Sequence, residues 1–131
     1  MEATEPAMPN GRPAPRILVA EDDDVNQLVV RRMLEAMGYP HVTIVADGEA
    51  ALHACGQQRF DLILMDWQMP RLGGEGATVE LRRRGVRTPV VALTATASAE
   101  ECRRAGTDDH MTKPVSRAVL AATVRRWTGI G

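Results

Sequence analysis

Short apolar runs bounded by turn residues alternate down the chain with stretches whose apolar residues recur at helical spacing. The strongest run is Leu62-Ile63-Leu64-Met65, four large apolar residues in a row, which predicts a strand buried on both faces. Ile17 to Ala20, Val42 to Ala46 and Pro89 to Leu93 predict three more strands, and residues 109 to 112 a weak, polar fifth. Between them lie predicted helices. The first runs from a cap at Asp24 or Asp23 to about Met37, with Val25, Leu28, Val29, Met33 and Ala36 on one face, and Gly38-Tyr39-Pro40 stops it. The others span Glu49 to Gln57, Glu75 to Arg84, Ser98 to Ala105 (closed by Gly106) and Val115 to Trp127. In the last, Val115, Val119 and Ala122, and Leu120, Val124 and Trp127, fall at helical spacing.

Strands alternating with helices imply βαβ units and a parallel sheet. Five units make a flavodoxin-like, doubly wound (βα)5 fold with strand order 2-1-3-4-5. Strands one, three and four are nearly all apolar and belong in the centre, while the polar fifth belongs at an edge. Residues 1–15 hold four of the eight prolines and read as a disordered tail or linker, with the folded domain spanning 16–128.

That topology gives the strand ends chemical meaning, because open α/β sheets carry their sites at the carboxyl ends of the strands. Strand one ends at Glu21 and Asp22, strand three at Asp66, strand four at Thr94, strand five at Lys113. Converging carboxylates repel unless a cation neutralises them, and Mg²⁺ is the natural hard divalent ion. Two of these carboxylates and the Gln68 backbone carbonyl can hold it. Asp66 can then act as a nucleophile on phosphorus, with Thr94 and Lys113 meeting the phosphoryl oxygens. Lys113 is the one lysine among sixteen basic residues, so a compact ammonium is kept where arginine is used elsewhere. Asp24 reads better as a helix cap than as a ligand, His41 and His53 as surface or helix residues, and Trp67 as pointing out of the pocket mouth.

Bulk properties remove several classes. A chain of 131 residues is one domain that needs no staples. A net charge of -1 argues against a nucleic-acid or anionic-membrane binder. The arginines at 82–84 and 103–104 read as solvated helix ends, since few aromatics accompany them. No stretch is long and apolar enough to span a membrane, and no signal peptide is evident. Cys55 and Cys102 lie apart with no metal or redox spacing, as buried or incidental thiols in a reducing cytoplasm.

The segments ILVAEDDDVNQ, ADGEAAL, DLILMDWQMP, PVVALTA and GTDDHMTKPV, in that order, resemble the receiver domain of two-component response regulators, from Arg16 to about Trp127. The VNQ, DWQMP and GTDD pieces are similar to receivers of hybrid sensor histidine kinases. The resemblance implies that Asp66 is the phosphoacceptor and that Glu21 and Asp22 form the acidic pair, with Asp22, Asp66 and the Gln68 carbonyl holding Mg²⁺ and Glu21 meeting it through water. It also implies a cis bond at Lys113-Pro114 and a switch formed by Thr94 and His110, where the family usually has an aromatic residue. A histidine there would give switching a pH dependence. Gly73 replaces a common aspartate and is expected to loosen the loop after Asp66, while Gln68 and Thr96 flank the site and are expected to tune the phosphate's lifetime. The implied partner is a histidine kinase or a histidine phosphotransfer domain, docking near Val25, Asn26 and Val29. A downstream protein would meet the surface of the fourth helix, fifth strand and fifth helix. Catalysis would be limited to self-catalysed phosphotransfer and autodephosphorylation, in a stand-alone receiver or a piece of a hybrid kinase.

Three rivals are weaker. An aspartate-nucleophile phosphatase normally carries a second aspartate where Gln68 stands. A nucleotide or flavin binder needs a first loop without the Glu21-to-Asp24 charge. A pseudo-receiver, a phosphate-independent interaction module, gives no reason for the site residues.

Overall fold

The computed structural model describes residues 7, 8 and 11–129. The elements are β1 (Arg16–Ala20), α1 (Asp24–Ala36), β2 (His41–Val45), α2 (Gly48–Gln57), β3 (Leu62–Asp66), α3 (Gly74–Arg83), β4 (Val90–Thr94), α4 (Ala99–Ala105), β5 (Asp109–Thr112) and α5 (Arg117–Thr128). The strands form one parallel sheet in the order β2-β1-β3-β4-β5. The apolar runs take the centre as expected: every residue of β3 and β4 is buried, while β2 and β5 lie at the edges and stay partly exposed.

Strand periodicity sorts side chains onto two faces. Ile17, Val19, Leu62, Leu64, Val91 and Leu93 meet Val30 and Leu34 of α1 and Leu120 and Val124 of α5. Leu18, Ala20, Ile63, Met65 and Val90 meet Ala51 of α2 and Ala77 and Leu81 of α3. Local signals set the helix ends. Ser98 and Glu101 form a capping box on α4, and Gly106 closes it at φ 113°.

The structure corrects the expected inner face of α1. Val30 and Leu34 are buried, whereas Val25, Leu28 and Val29 are 68%, 50% and 42% exposed. The apolar residues of α1 cover more than one stripe, so periodicity alone does not select the face that meets the sheet. The cap is Asp23, whose carboxylate accepts the Asn26 N–H at 2.9 Å, and Asp24 is the first helical residue.

The stretch expected as a tail is described at residues 7, 8 and 11–15 only. Ala7 and Pro13 form an antiparallel bridge there, and Met8 and Ala14 join the core on the α1 and α5 side. An average over proline-rich composition conceals two such apolar anchors. The rest of that stretch lies outside the described residues.

Arg82 is no solvated helix end. It donates to the carbonyls of Gly106 (2.9 Å), Val86 (2.8 Å) and Thr88 (2.9 Å), and to Asp108 Oδ2 (2.9 Å). The same Asp108 oxygen accepts the Val90 N–H at 2.9 Å, so Arg82 ties the entries of β4 and β5 to the end of α3. Arg82→Ala strips several acceptors of their donor at once. A loss of about 2 kcal/mol is expected in urea unfolding, with Arg84→Ala close to wild type.

Candidate functional site

Four strand ends and the loops that follow them converge at one end of the sheet. Glu21, directly after β1, is 1% exposed, Asp66 at the end of β3 is 3% and Thr94 at the end of β4 is 4%. Asp22 is exposed. One carboxylate oxygen from each of Glu21, Asp22 and Asp66 lies within 4.8 Å of the other two. Lys113, following β5, reaches in among them, with Nζ 3.0 Å from Asp66 Oδ2 and 3.3 Å from Glu21 Oε1. Its backbone N–H donates to the Thr94 carbonyl at 2.9 Å, and the Lys113-Pro114 bond is cis, as the resemblance implies.

Each group is held by local structure. The Glu21 carboxylate accepts the Asp23 N–H at 3.1 Å, and its carbonyl accepts from Gln27 Nε2 at 2.6 Å. Asp66 Oδ1 accepts the Gln68 N–H at 3.3 Å, which folds the start of the following loop over the carboxylate. Thr94 Oγ1 accepts the N–H groups of Thr96 (3.1 Å) and Ala97 (2.8 Å). Its oxygen is thus engaged by backbone, leaving the hydroxyl hydrogen to donate.

The site is electrostatically loaded. Burial pushes the Glu21 carboxyl up to about 7, against the Asp23 N–H, which favours the anion; hydrogen bonding to Asp66 and its charge add to the rise. Burial also works against the Lys113 charge, and Asp66 and Glu21 more than offset it, holding the ammonium above the usual lysine range. Two buried carboxylates beside a third, with one ammonium between them, form a donor set suited to a hard divalent cation. These residues fit Mg²⁺.

His110 is half-buried on β5, its N–H donating to Asp109 Oδ1 at 2.8 Å, while Trp127 Nε1 donates to Asp109 Oδ2 at 2.9 Å. Trp67 is half-buried rather than open to solvent. Gly73 has an ordinary φ of -76° and caps α3; a β-carbon there would lie 3.0 Å from the Trp67 carbonyl. Its role is therefore close approach, not a loose loop. Met69, flanking the site, packs with the α2 and α3 side of the core. Sequence reasoning missed Gln27 as a brace for Glu21, although it lies in the quoted VNQ segment.

A hollow of about 320 Å³ adjoins the carboxylates, lined by Glu21, Asn26, Val29, Lys113, Pro114 and Val115 among others. A second hollow, about 590 Å³, lies between residues 55–61 and 85–89 at the other end of the sheet, away from the clustered carboxylates.

This arrangement defines a class. The chain belongs to the response regulator receiver domain family, which matches residues 17–125. Sensor protein GacS of Pseudomonas syringae pv. syringae is 45% identical over 125 residues, which cover 89% of this chain and 14% of that protein. The chain thus spans a small part of that relative's length. The receiver domain of the sensor histidine kinase PA1611 of Pseudomonas aeruginosa PAO1 matches with a TM-score of 0.81 at 45% identity, over 88% of this chain and 98% of that one. A magnesium ion is coordinated in its active site cleft. The co-crystal structure of the Saccharomyces cerevisiae histidine phosphotransfer protein Ypd1 with the receiver domain of Ssk1 contains a further match, with a TM-score of 0.81 at 26% identity, over 88% of this chain and 91% of that one. Among the described residues, no helix is long and apolar enough to cross a membrane.

Proposed function

We propose that this receiver accepts a phosphoryl group on Asp66 from a phosphohistidine of a histidine kinase or histidine phosphotransfer domain. The observation that carries the reading is the Lys113 ammonium held between Asp66 and Glu21 at 3.0 and 3.3 Å. A carboxylate oxygen of Asp66 bonds to phosphorus while the phosphorus–nitrogen bond of the donor breaks, and its electron pair returns to the imidazole. An acyl phosphate results. Lys113 turns from the carboxylates to a phosphoryl oxygen, and Thr94 donates its hydroxyl hydrogen to another. Asp22, Asp66 and the Gln68 carbonyl would hold Mg²⁺ directly, and Glu21 through water. The ion supplies positive charge against the phosphoryl oxygens when bound.

The exposed Val25, Leu28 and Val29 lie on α1, and Val29 also lines the hollow beside Lys113. An apolar patch at the rim of the site suits docking of a histidine-bearing helical partner. A phosphate-dependent surface of α4, β5 and α5, switched through Thr94 and His110, would pass the signal on as a shift between two states. The test is transfer from a phosphorylated histidine phosphotransfer domain. Val29→Glu should slow it about tenfold while leaving labelling by acetyl phosphate intact, and equal slowing of both would reject the docking assignment.

The raised Glu21 carboxyl makes the site pH-dependent. In the metal-free fold Glu21 keeps its proton up to about 7, whereas an unperturbed glutamate loses it near 4.5. Its contribution to stability is therefore complete below the lower value and is lost as pH rises through the upper one. Mg²⁺ favours the anion. Thermal melts should show metal-free stability falling from about pH 5 to 8, with the Mg²⁺-induced rise in Tm growing over the same range. Glu21→Gln should flatten both trends.

A further inference from the structure

The loop from Trp67 to Gly73 carries the Gln68 carbonyl and is fastened away from the carboxylates. Gly74 N–H donates to the Trp67 carbonyl at 3.1 Å, and Gly48 N–H, in the first turn of α2, donates to the Leu72 carbonyl at 2.9 Å. A β-carbon on Gly48 would run into that carbonyl, so glycine permits the contact. Between these points Arg71 sits at φ 65°, the one non-glycine residue with positive φ among the described residues. Such a conformation persists only where the surroundings over-determine it. Asp47 provides that surrounding. It is 6% exposed and caps α2, with Oδ1 accepting the Ala50 N–H at 2.8 Å and Oδ2 accepting from Arg71 Nε at 3.1 Å. The Ala50 N–H foremost, helped by Arg71, holds the Asp47 carboxyl below the usual carboxylate range, despite burial.

We infer that the Asp47–Arg71 pair is a positioning clamp that presets the Gln68 carbonyl for Mg²⁺, raising the metal affinity of the Asp66 site without touching the ion. The inference rests on the Mg²⁺-dependent phosphoacceptor reading. Mg²⁺ demands near-octahedral geometry, so a carbonyl already aimed avoids an ordering cost on binding. The Arg71 side chain is 71% exposed, so solvent screens its charge against Asp47 and the contact adds little to global stability. The clamp should therefore register in Mg²⁺ affinity far more than in Tm.

Three variants separate positioning from support. Arg71→Gly removes the guanidinium and relieves the backbone. Asp47→Asn removes the charge yet keeps an oxygen to cap α2. Arg71→Lys restores a point charge. Mg²⁺ is titrated into each, followed by calorimetry and Trp67 fluorescence, and labelling by acetyl phosphate is timed at saturating Mg²⁺. The Mg²⁺ Kd should weaken roughly tenfold in the first two variants and less in Arg71→Lys. The saturated labelling rate should stay within about twofold of wild type. An unchanged Kd in both Arg71→Gly and Asp47→Asn overturns the clamp, whatever happens to Tm. A wild type that binds Mg²⁺ but takes no phosphoryl group removes the phosphoacceptor reading and leaves the clamp to be decided by Kd. A wild type that binds no Mg²⁺ overturns both.

Discussion

Asp66→Asn should abolish phosphoryl uptake, with labelling by acetyl phosphate falling at least about 1,000-fold while the protein stays folded. The amide has no anionic oxygen to attack phosphorus. Folding should survive because the substitution relieves a crowded site: Glu21 is raised partly by hydrogen bonding to Asp66 and by its charge. With Asp66 neutral, Glu21 ionises more readily and becomes the sole anionic partner of the Lys113 ammonium, now 3.3 Å from it. Gel-shift assay of labelled protein and a thermal melt together check this. A variant that loses labelling by unfolding would show it in the melt.

Lys113→Ala separates charge stabilisation from metal binding. The ammonium sits 3.0 Å from Asp66 and 3.3 Å from Glu21, and competes there with any other cation. Its removal should tighten Mg²⁺ severalfold while slowing phosphoryl uptake about 100-fold, because the transferring oxygens lose their protein-borne positive charge. The two effects run in opposite directions, so a general disruption cannot produce both. Lys113→Arg should recover little, since a planar fork does not replace a compact ammonium between two carboxylates. Mg²⁺ titration and labelling rates on the same preparations decide it. Weaker Mg²⁺ binding in Lys113→Ala would contradict this role.

What the sequence revealed follows from how local each signal is. Asp66 is legible because Leu62 to Met65 form an uninterrupted apolar run and the carboxylate ends it. Lys113 stands out because every other basic side chain except the histidines is arginine. The order of the strands follows from their apolarity and the alternation with helices. Three features are tertiary. The inner face of α1 depends on which of several apolar stripes meets the sheet, and Val30 and Leu34 win. Arg82 looks like its neighbours Arg83 and Arg84 until the Gly106 and Thr88 carbonyls approach it. The Asp47–Arg71 pair joins residues 24 positions apart across two loops, a distance that periodicity does not read.

The most direct test locates the phosphoryl group. Wild-type protein is incubated with phosphoramidate, with and without Mg²⁺, its intact mass is measured, and the acyl phosphate is reduced with borohydride before peptide mapping. One phosphoryl group should be gained only with Mg²⁺, and the reduced residue should be Asp66. A gain at any other residue, or none in folded protein with Mg²⁺ bound, would contradict the assignment of Asp66 as phosphoacceptor.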